Sequence, residues 1–164
     1  MNIFKYFAPQ QPVSQTRQFY DNLPEEIKQL TYPFGSTVFG GATKHSDIDL
    51  FCSEDNYLDL KAVLIHNSID YRVKTNTYHF SPSRVLFKLN RRTYEVTLVE
   101  KSEIETYKKA SHVLQMYATY VCPITNRAER HKKFTALVSA YNLNGAPPKY
   151  YQPTLMRYAP ELLI

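Results

Sequence analysis

The sequence predicts an α+β protein, and three observations predict it. Short apolar stretches with strand-like alternation lie between residues 31 and 99. Longer stretches with apolar residues three and four apart lie before, among and after them, as helices require. Glycine is scarce, and three of the four, Gly35, Gly40 and Gly41, fall within seven residues, which points to a backbone constraint at that one place.

Taken in order, residues 1–12 end in Pro9-Gln10-Gln11-Pro12 and read as an irregular lead-in. Residues 13–30 read as helix, with Ser14 as N-cap and a break at Pro24; Pro24-Glu25-Glu26 has the composition of a first helical turn. Residues 31–35 read as a short strand running into the glycines, and residues 47–52 as the next strand. Ser53 then caps a helix over 54–66, with Tyr57, Leu58, Leu60, Val63 and Leu64 available for its buried side. Residues 69–74, 84–89 and 93–99 are three further strands. The last two are joined by Asn90-Arg91-Arg92, which has hairpin length but lacks the Asn-Gly pair such turns favour. Residues 102–121 form a helix capped by Ser102 and ended by Pro123, with Ile104, Tyr107, Leu114, Tyr117 and Val121 on one stripe. Residues 125–142 form another, with Ala128, Phe134, Val138 and Tyr141 as its apolar set. Residues 145–164 are a Pro/Tyr-rich tail that wraps the body. The organisation expected is a core with an N-terminal helix over 1–100 and a helical region with the tail over 101–164.

Composition excludes several classes. A chain of 164 residues is long enough to bury a core without disulfides or structural metal. No apolar run approaches the ~20 residues a bilayer helix needs. Residues 1–9 hold no apolar stretch of secretory-signal length. Cys52 and Cys122 make no disulfide framework or metal-ligand cluster, and the five histidines have no ligand spacing. The expectation is a reduced, cytoplasmic protein with no membrane partner. The net charge is +5, unevenly spread. Residues 1–70 carry five Lys/Arg against nine Asp/Glu, and residues 71–164 carry fifteen against six. An acidic front suits a divalent cation, and a basic back suits phosphate or nucleic acid.

Chemistry concentrates in residues 34–51. Gly35-Ser36 ends a strand where a small residue lets backbone N–H groups approach an anion, and a short helix follows whose N-terminus also favours phosphate. Asp47 and Asp49, two apart on a strand, share one face, while Ile48 and Leu50 point to the core. Adjacent carboxylates repel unless a cation sits between them, and Mg²⁺ prefers such oxygen ligands together with substrate phosphates.

Gly35-Ser36, a ten-residue spacer that contains Gly40 and ends in Ser46, and Asp47-Ile48-Asp49-Leu50 resemble the signature of the DNA polymerase beta-like nucleotidyltransferase superfamily, over roughly residues 31–100. The resemblance implies a mixed, mostly antiparallel sheet backed by helices, followed here by a C-terminal helical extension. It implies a third carboxylate on a later strand; Glu95, in Thr93-Tyr94-Glu95-Val96-Thr97-Leu98-Val99, matches best, with Asp70 and Glu100 as alternatives. It implies that Asp47, Asp49 and Glu95 are the catalytic and metal-binding residues, holding two Mg²⁺ ions or Mn²⁺ in their place. Gly35 and Ser36 would bind the β- and γ-phosphates of a nucleoside triphosphate, ATP by default. Pyrophosphate would leave and a nucleoside monophosphate would pass to an acceptor hydroxyl.

The chain looks most like a minimal nucleotidyltransferase. RNA, with tRNA as a leading candidate, fits the basic back half as acceptor. A protein hydroxyl fits the small size, and a small molecule fits the charge less well. A non-catalytic nucleotide- or RNA-binding regulatory module is the alternative of a different class. Among basic residues, Arg127, Arg130 and Lys133, Lys108-Lys109 and Arg91-Arg92 are each read first as solvated surface and second as contacts to triphosphate or acceptor. The tyrosines of the tail, Tyr150, Tyr151 and Tyr158, are read first as packing on the body.

Overall fold

The structure, a computed structural model, describes residues 18–39, 44–78, 81–144, 152, 155–156 and 159–163. The lead-in at 1–12, the Ser14 cap, Gly40, Gly41 and the tail tyrosines lie outside the described residues. The chain divides into two compact units, Met1–Ile104 and Glu105–Ile164.

The first unit begins with a helical turn at 18–21, and then Pro24, in the N-cap position, starts helix α1 (Glu25–Leu30). Proline is tolerated there because the first N–H groups of a helix have no intrahelical partner. Strand β1 (Tyr32–Pro33) is only two residues long, and the one-turn helix α2 (Ser36–Phe39) follows Gly35. Strand β2 (Ile48–Ser53) carries Ile48, Leu50 and Cys52 on its core face. Ser53 does cap what comes next, its hydroxyl accepting from the Asp55 N–H at 3.3 Å, but the first turn is 3₁₀ (Glu54–Asn56) before helix α3 (Tyr57–His66). Leu60 and Leu64 are buried, whereas Leu58 is exposed. At ~100° per residue Leu58 lies ~200° around the helix from Leu60, so both residues do not fit one stripe.

Strands β3 (Tyr71–Thr75), β4 (Pro82–Leu89) and β5 (Arg92–Val99) complete a five-stranded sheet of order β1-β2-β5-β4-β3. All neighbours are antiparallel except β2 and β5, which run parallel. This is the mixed, mostly antiparallel sheet backed by helices that the sequence predicts. The β4–β5 turn has Asn90 and Arg91 at φ 52° and 63°, so two left-handed residues close it, as in type I′ hairpins. One face of the sheet packs with Leu23, Ile27, Leu60 and Leu64 around Val85, Phe87, Tyr94 and Val96. Phe87 and Tyr94 stack with ring centroids 4.9 Å apart, and the Tyr94 hydroxyl donates to the Phe19 carbonyl at 2.8 Å. Burial pushes the Tyr94 phenol up to about 12, and the Cys52 thiol, also in this core, up to about 12.

The second unit is helical. Helix α4 (Ile104–Met116) is preceded by a 3₁₀ turn (Lys101–Glu103) that contains Ser102, so Ser102 is not the cap. The helix then widens into a π turn (Tyr117–Val121), where the Cys122 N–H reaches the Tyr117 carbonyl at 2.7 Å. Helix α5 (Arg127–Ala140) is capped by Asn126, whose side chain accepts from the Glu129 N–H at 3.0 Å. Phe134 and Val138 are buried, but Ala128 is exposed. Arg130 is not solvated surface: it forms an ion pair with Glu161 and donates to the Ile124 carbonyl at 3.2 Å. Leu155, Ala159 and Leu162 of the tail are buried.

Candidate functional site

The acidic motif is built by β2 and what pairs with it. In the parallel β2–β5 ladder Asp49 is the register partner of Glu95. Directly paired residues point to the same face, so Asp49 and Glu95 stand side by side, and Asp47, two residues before Asp49, belongs to that face too. The opposite face carries Ile48, Leu50, Tyr94 and Val96, all buried. Of the other carboxylates considered, Asp70 is exposed just before β3 and Glu100 is exposed just past β5; neither is in register with β2.

Gly35 lies against this pair. Its φ is +58°, and a β-carbon built on it would fall 2.5 Å from Asp49 Oδ2. Both facts demand glycine: the left-handed backbone disfavours other residues, and the carboxylate occupies the space a side chain would need. The Phe34 N–H donates to the Asp49 carbonyl at 2.9 Å, which extends the β1–β2 pairing up to the glycine. Ser36 opens α2, with the Val38 N–H bonded to the Gly35 carbonyl at 2.9 Å. The Gly35-Ser36 turn and the Asp47/Asp49/Glu95 face are therefore neighbours.

Two arginines act on the carboxylates, and sequence reasoning placed neither there. Arg84 Nη1 bonds Glu95 Oε1 at 2.6 Å. It comes from β4, the strand on the far side of β5 from Asp49. Arg92 is buried, not a solvated hairpin tip. Its guanidinium donates to the Lys44 and Ser46 carbonyls, both at 2.8 Å, and lies over the Phe19 ring at 4.6 Å. Burial lowers its pKa from the usual guanidinium value, against the Tyr94 phenol and the Asp47 carboxylate, which raise it. Arg92 thus ties down the backbone that delivers Asp47. The signal was available in the alternation, since Arg92 is in phase with Tyr94 and Val96 and out of phase with Glu95.

The oxygen donors of Asp47, Asp49 and Glu95 are the hard ligands Mg²⁺ takes, and the paired register suits a shared ion. The three are not already drawn together: among the described residues no group of three His, Cys, Asp or Glu is gathered closely enough to hold a metal. Glu95 is instead engaged by Arg84. No helix among the described residues is long and apolar enough to cross a membrane.

No curated protein matches the chain. Among solved structures, Cid1 in complex with the UTP analogue UMPNPP is 17% identical with a TM-score of 0.46, the match covering 88% of this chain and 45% of that one. A cytoplasmic RNA terminal U-transferase is 18% identical with a TM-score of 0.42, over 73% of this chain and 40% of that one. The Cid1 poly(U) polymerase is 17% identical with a TM-score of 0.47, over 88% and 47%. The chain spans less than half the length of each of these. The family described as the nucleotidyltransferase domain matches residues 14–121, a span that holds the Gly35-Ser36 turn, all three carboxylates and both arginines. The chain belongs to that nucleotidyltransferase domain family, within the polymerase beta-like superfamily.

Proposed function

We propose that the protein transfers a nucleoside monophosphate from a nucleoside triphosphate, ATP by default, to a hydroxyl of an RNA acceptor and releases pyrophosphate. The observation that carries this reading is the register that sets Asp49 beside Glu95, in a chain of this family, with Gly35 against the same carboxylate. The acceptor oxygen bonds to the α-phosphorus while the bond from that phosphorus to the oxygen bridging to the β-phosphate breaks. Gly35 and Ser36 hold the departing β- and γ-phosphates through the backbone. Asp47 and Asp49 would hold the metal together with Glu95, and Glu95 helps take the hydroxyl proton. Two Mg²⁺ ions, or Mn²⁺, supply neutralisation of the charge on the attacking and leaving oxygens when bound. The excess of Lys and Arg in residues 71–164 favours RNA, tRNA included, over a small-molecule acceptor.

The test is label transfer from α-labelled ATP, CTP, GTP and UTP with Mg²⁺ or Mn²⁺, offered total RNA and total cell protein, beside the Asp47→Ala/Asp49→Ala variant. Metal-dependent label on RNA, absent with the variant, is the expected result. Label on protein instead would replace the acceptor. No label from any nucleotide, with RNA affinity intact in the variant, would make the chain a binding module.

A further inference from the structure

The sheet order sets a direction across the proposed site. Gly35-Ser36 lies on the β1 side of β2, the carboxylates lie on β2 and β5, and beyond them come β4 and β3. In an in-line displacement the attacking hydroxyl approaches opposite the departing pyrophosphate. With pyrophosphate leaving on the Gly35 side, the acceptor comes in over β4 and β3.

That part of the face is cationic. Leu86 is the register partner of Glu95, and Arg72 is the partner of Leu86, so both share the face of the carboxylates. Arg84 and Lys88 flank Leu86 on β4, two residues either way, and Lys74 is the direct partner of Arg84 on β3. Arg72, Lys74, Arg84 and Lys88 are all exposed. Like charges placed directly opposite on neighbouring strands, as Lys74 and Arg84 are, destabilise a sheet. Glu95 offsets one of them, and Asp70 stands at the start of β3. Arg84 to Lys88 covers ~13 Å of strand at ~3.3 Å per residue, longer than a single phosphate needs. An open cleft of about 700 Å³ adjoins the start of β3, lined from this face by Arg72, Leu86, Lys88 and Thr93 and from the other by Tyr71, Phe87 and Leu89. In the β3–β4 connection, four residues past Lys74, Tyr78 is 88% exposed. A basic track with an exposed aromatic at its end is the arrangement that holds a single strand by its phosphates and one stacked base.

We infer that the β3–β4 face is the track for the acceptor strand: Arg72, Lys74 and Lys88 take the phosphates of a single-stranded RNA end, and Tyr78 stacks a base. The inference rests on the transfer reaction proposed above, and its test separates the two.

The full-length protein is titrated into a fluorescent oligoadenylate RNA without metal, by anisotropy, across a salt series. Arg72→Gln/Lys88→Gln is expected to weaken binding about tenfold or more and to flatten the slope of log affinity against log salt by about 1.4, at ~0.7 for each phosphate no longer neutralised. Tyr78→Ala is expected to weaken it about fivefold or more with the slope unchanged, since stacking is not ionic. The control Lys132→Gln, on an exposed position of α5, is expected to leave both quantities in place. Circular dichroism checks that each variant is folded. The inference is overturned if the β3–β4 variant binds as the wild type does, or if only the α5 variant loses affinity. It is equally overturned if polyglutamate competes as well as RNA and Tyr78→Ala has no effect, which would mark an acidic-polypeptide site. Loss of RNA binding in the track variants with no label transfer by the wild type would sink the reaction and leave the track standing. Transfer to RNA with unaltered binding in the track variants would do the reverse.

Discussion

Gly35 and Asp49 approach so closely at the end of the β1–β2 pairing that any β-carbon at 35 would stand 2.5 Å from the carboxylate oxygen Oδ2. The backbone of one residue sets the side-chain position of the other. Gly35→Ala would therefore act twice. The left-handed φ costs an alanine roughly 1–2 kcal/mol, and the methyl pushes Asp49 off its place. Displacing a reacting group by about 1 Å can lower turnover about a hundredfold. We expect that loss in label transfer, a lower thermal midpoint, and weaker Mn²⁺ binding by calorimetry. Full Mn²⁺ affinity in a folded Gly35→Ala protein would separate the glycine from the metal ligands.

In the proposed reaction a metal would have to take Glu95 from Arg84, which holds it in an ion pair. The Arg84 side chain is 50% exposed, and a solvent-screened pair of this kind is worth at most about 1 kcal/mol. Arg84→Gln should tighten Mn²⁺ binding by about two- to fivefold, measured without nucleotide. Weaker binding would mean that Arg84 orients Glu95 for the metal rather than withholding it.

Arg92 grips two carbonyls of the segment that leads into Asp47. Hydrogen bonds from a charged donor are worth about 1.5–3 kcal/mol each, and the carbonyls would lose theirs. Arg92→Gln should destabilise the fold by about 3 kcal/mol in urea titration. Arg92→Lys keeps the charge but loses the two-pronged geometry. It should leave a folded protein whose Mn²⁺ affinity falls about 10–100-fold, the usual range for residues that orient metal ligands. Wild-type affinity in the lysine variant would confine Arg92 to a purely structural part.

The β4–β5 turn holds Arg91 at φ 63°, a conformation that glycine adopts freely. Arg91→Gly creates the Asn-Gly pair the turn type favours. A gain of about 1 kcal/mol, seen as a rise of a few degrees in thermal midpoint, is the expected outcome. No rise would indicate that the exposed arginine makes a compensating interaction.

Alkaline pH should loosen the first unit. The Cys52 thiol moves from 9.0 to about 12 and the Tyr94 phenol from 10.0 to about 12, both through burial. Between the unfolded and folded values the unfolded chain has lost protons that the folded chain keeps, so stability falls as pH rises. The contribution is intact below pH 9.0, starts to fall there with Cys52, and falls more steeply from 10.0 with Tyr94. Each group adds up to ~1.4 kcal/mol per pH unit. Tyr94→Phe should begin less stable, through loss of the bond to the Phe19 carbonyl, and decline less steeply above pH 10.0. Parallel decline in the two proteins would remove Tyr94 from the account.

Much of this arrangement is legible in the chain. The five strands follow from alternation, and the Gly35-Ser36 to Asp47/Asp49 spacing follows from counting. Glu95 is the best match to the third carboxylate that the family resemblance implies, and its place on β5 in register with Asp49 is what the structure adds. What is not legible depends on long-range register. That β2 runs parallel to β5, bringing residue 49 beside 95, is set by tertiary pairing. Arg84 reaches Glu95 only because β4 and β5 pair in a register that a one-residue slip would reverse. Arg92 is misread when the turn is counted as three residues. With two, Asn90 and Arg91, Arg92 becomes the first residue of β5 and falls on the core side. The π turn at Tyr117–Val121 continues an apolar stripe that an α-helix would satisfy equally well, so the pattern holds no sign of it.

The parallel pairing of β2 with β5 has a consequence for how the protein comes into being. Strands β3, β4 and β5 are joined by short connections and can zip together locally, whereas β2 meets β5 only after the whole stretch from residue 49 to residue 95 has been made and arranged. Closing so long a loop carries an entropy cost that local hairpins do not bear, and such pairings form late. Asp49 and Glu95 straddle that closure. A nascent chain, or one stalled halfway through folding, therefore holds its acidic residues apart, and the ability to bind metal there would itself report that the first unit has finished folding.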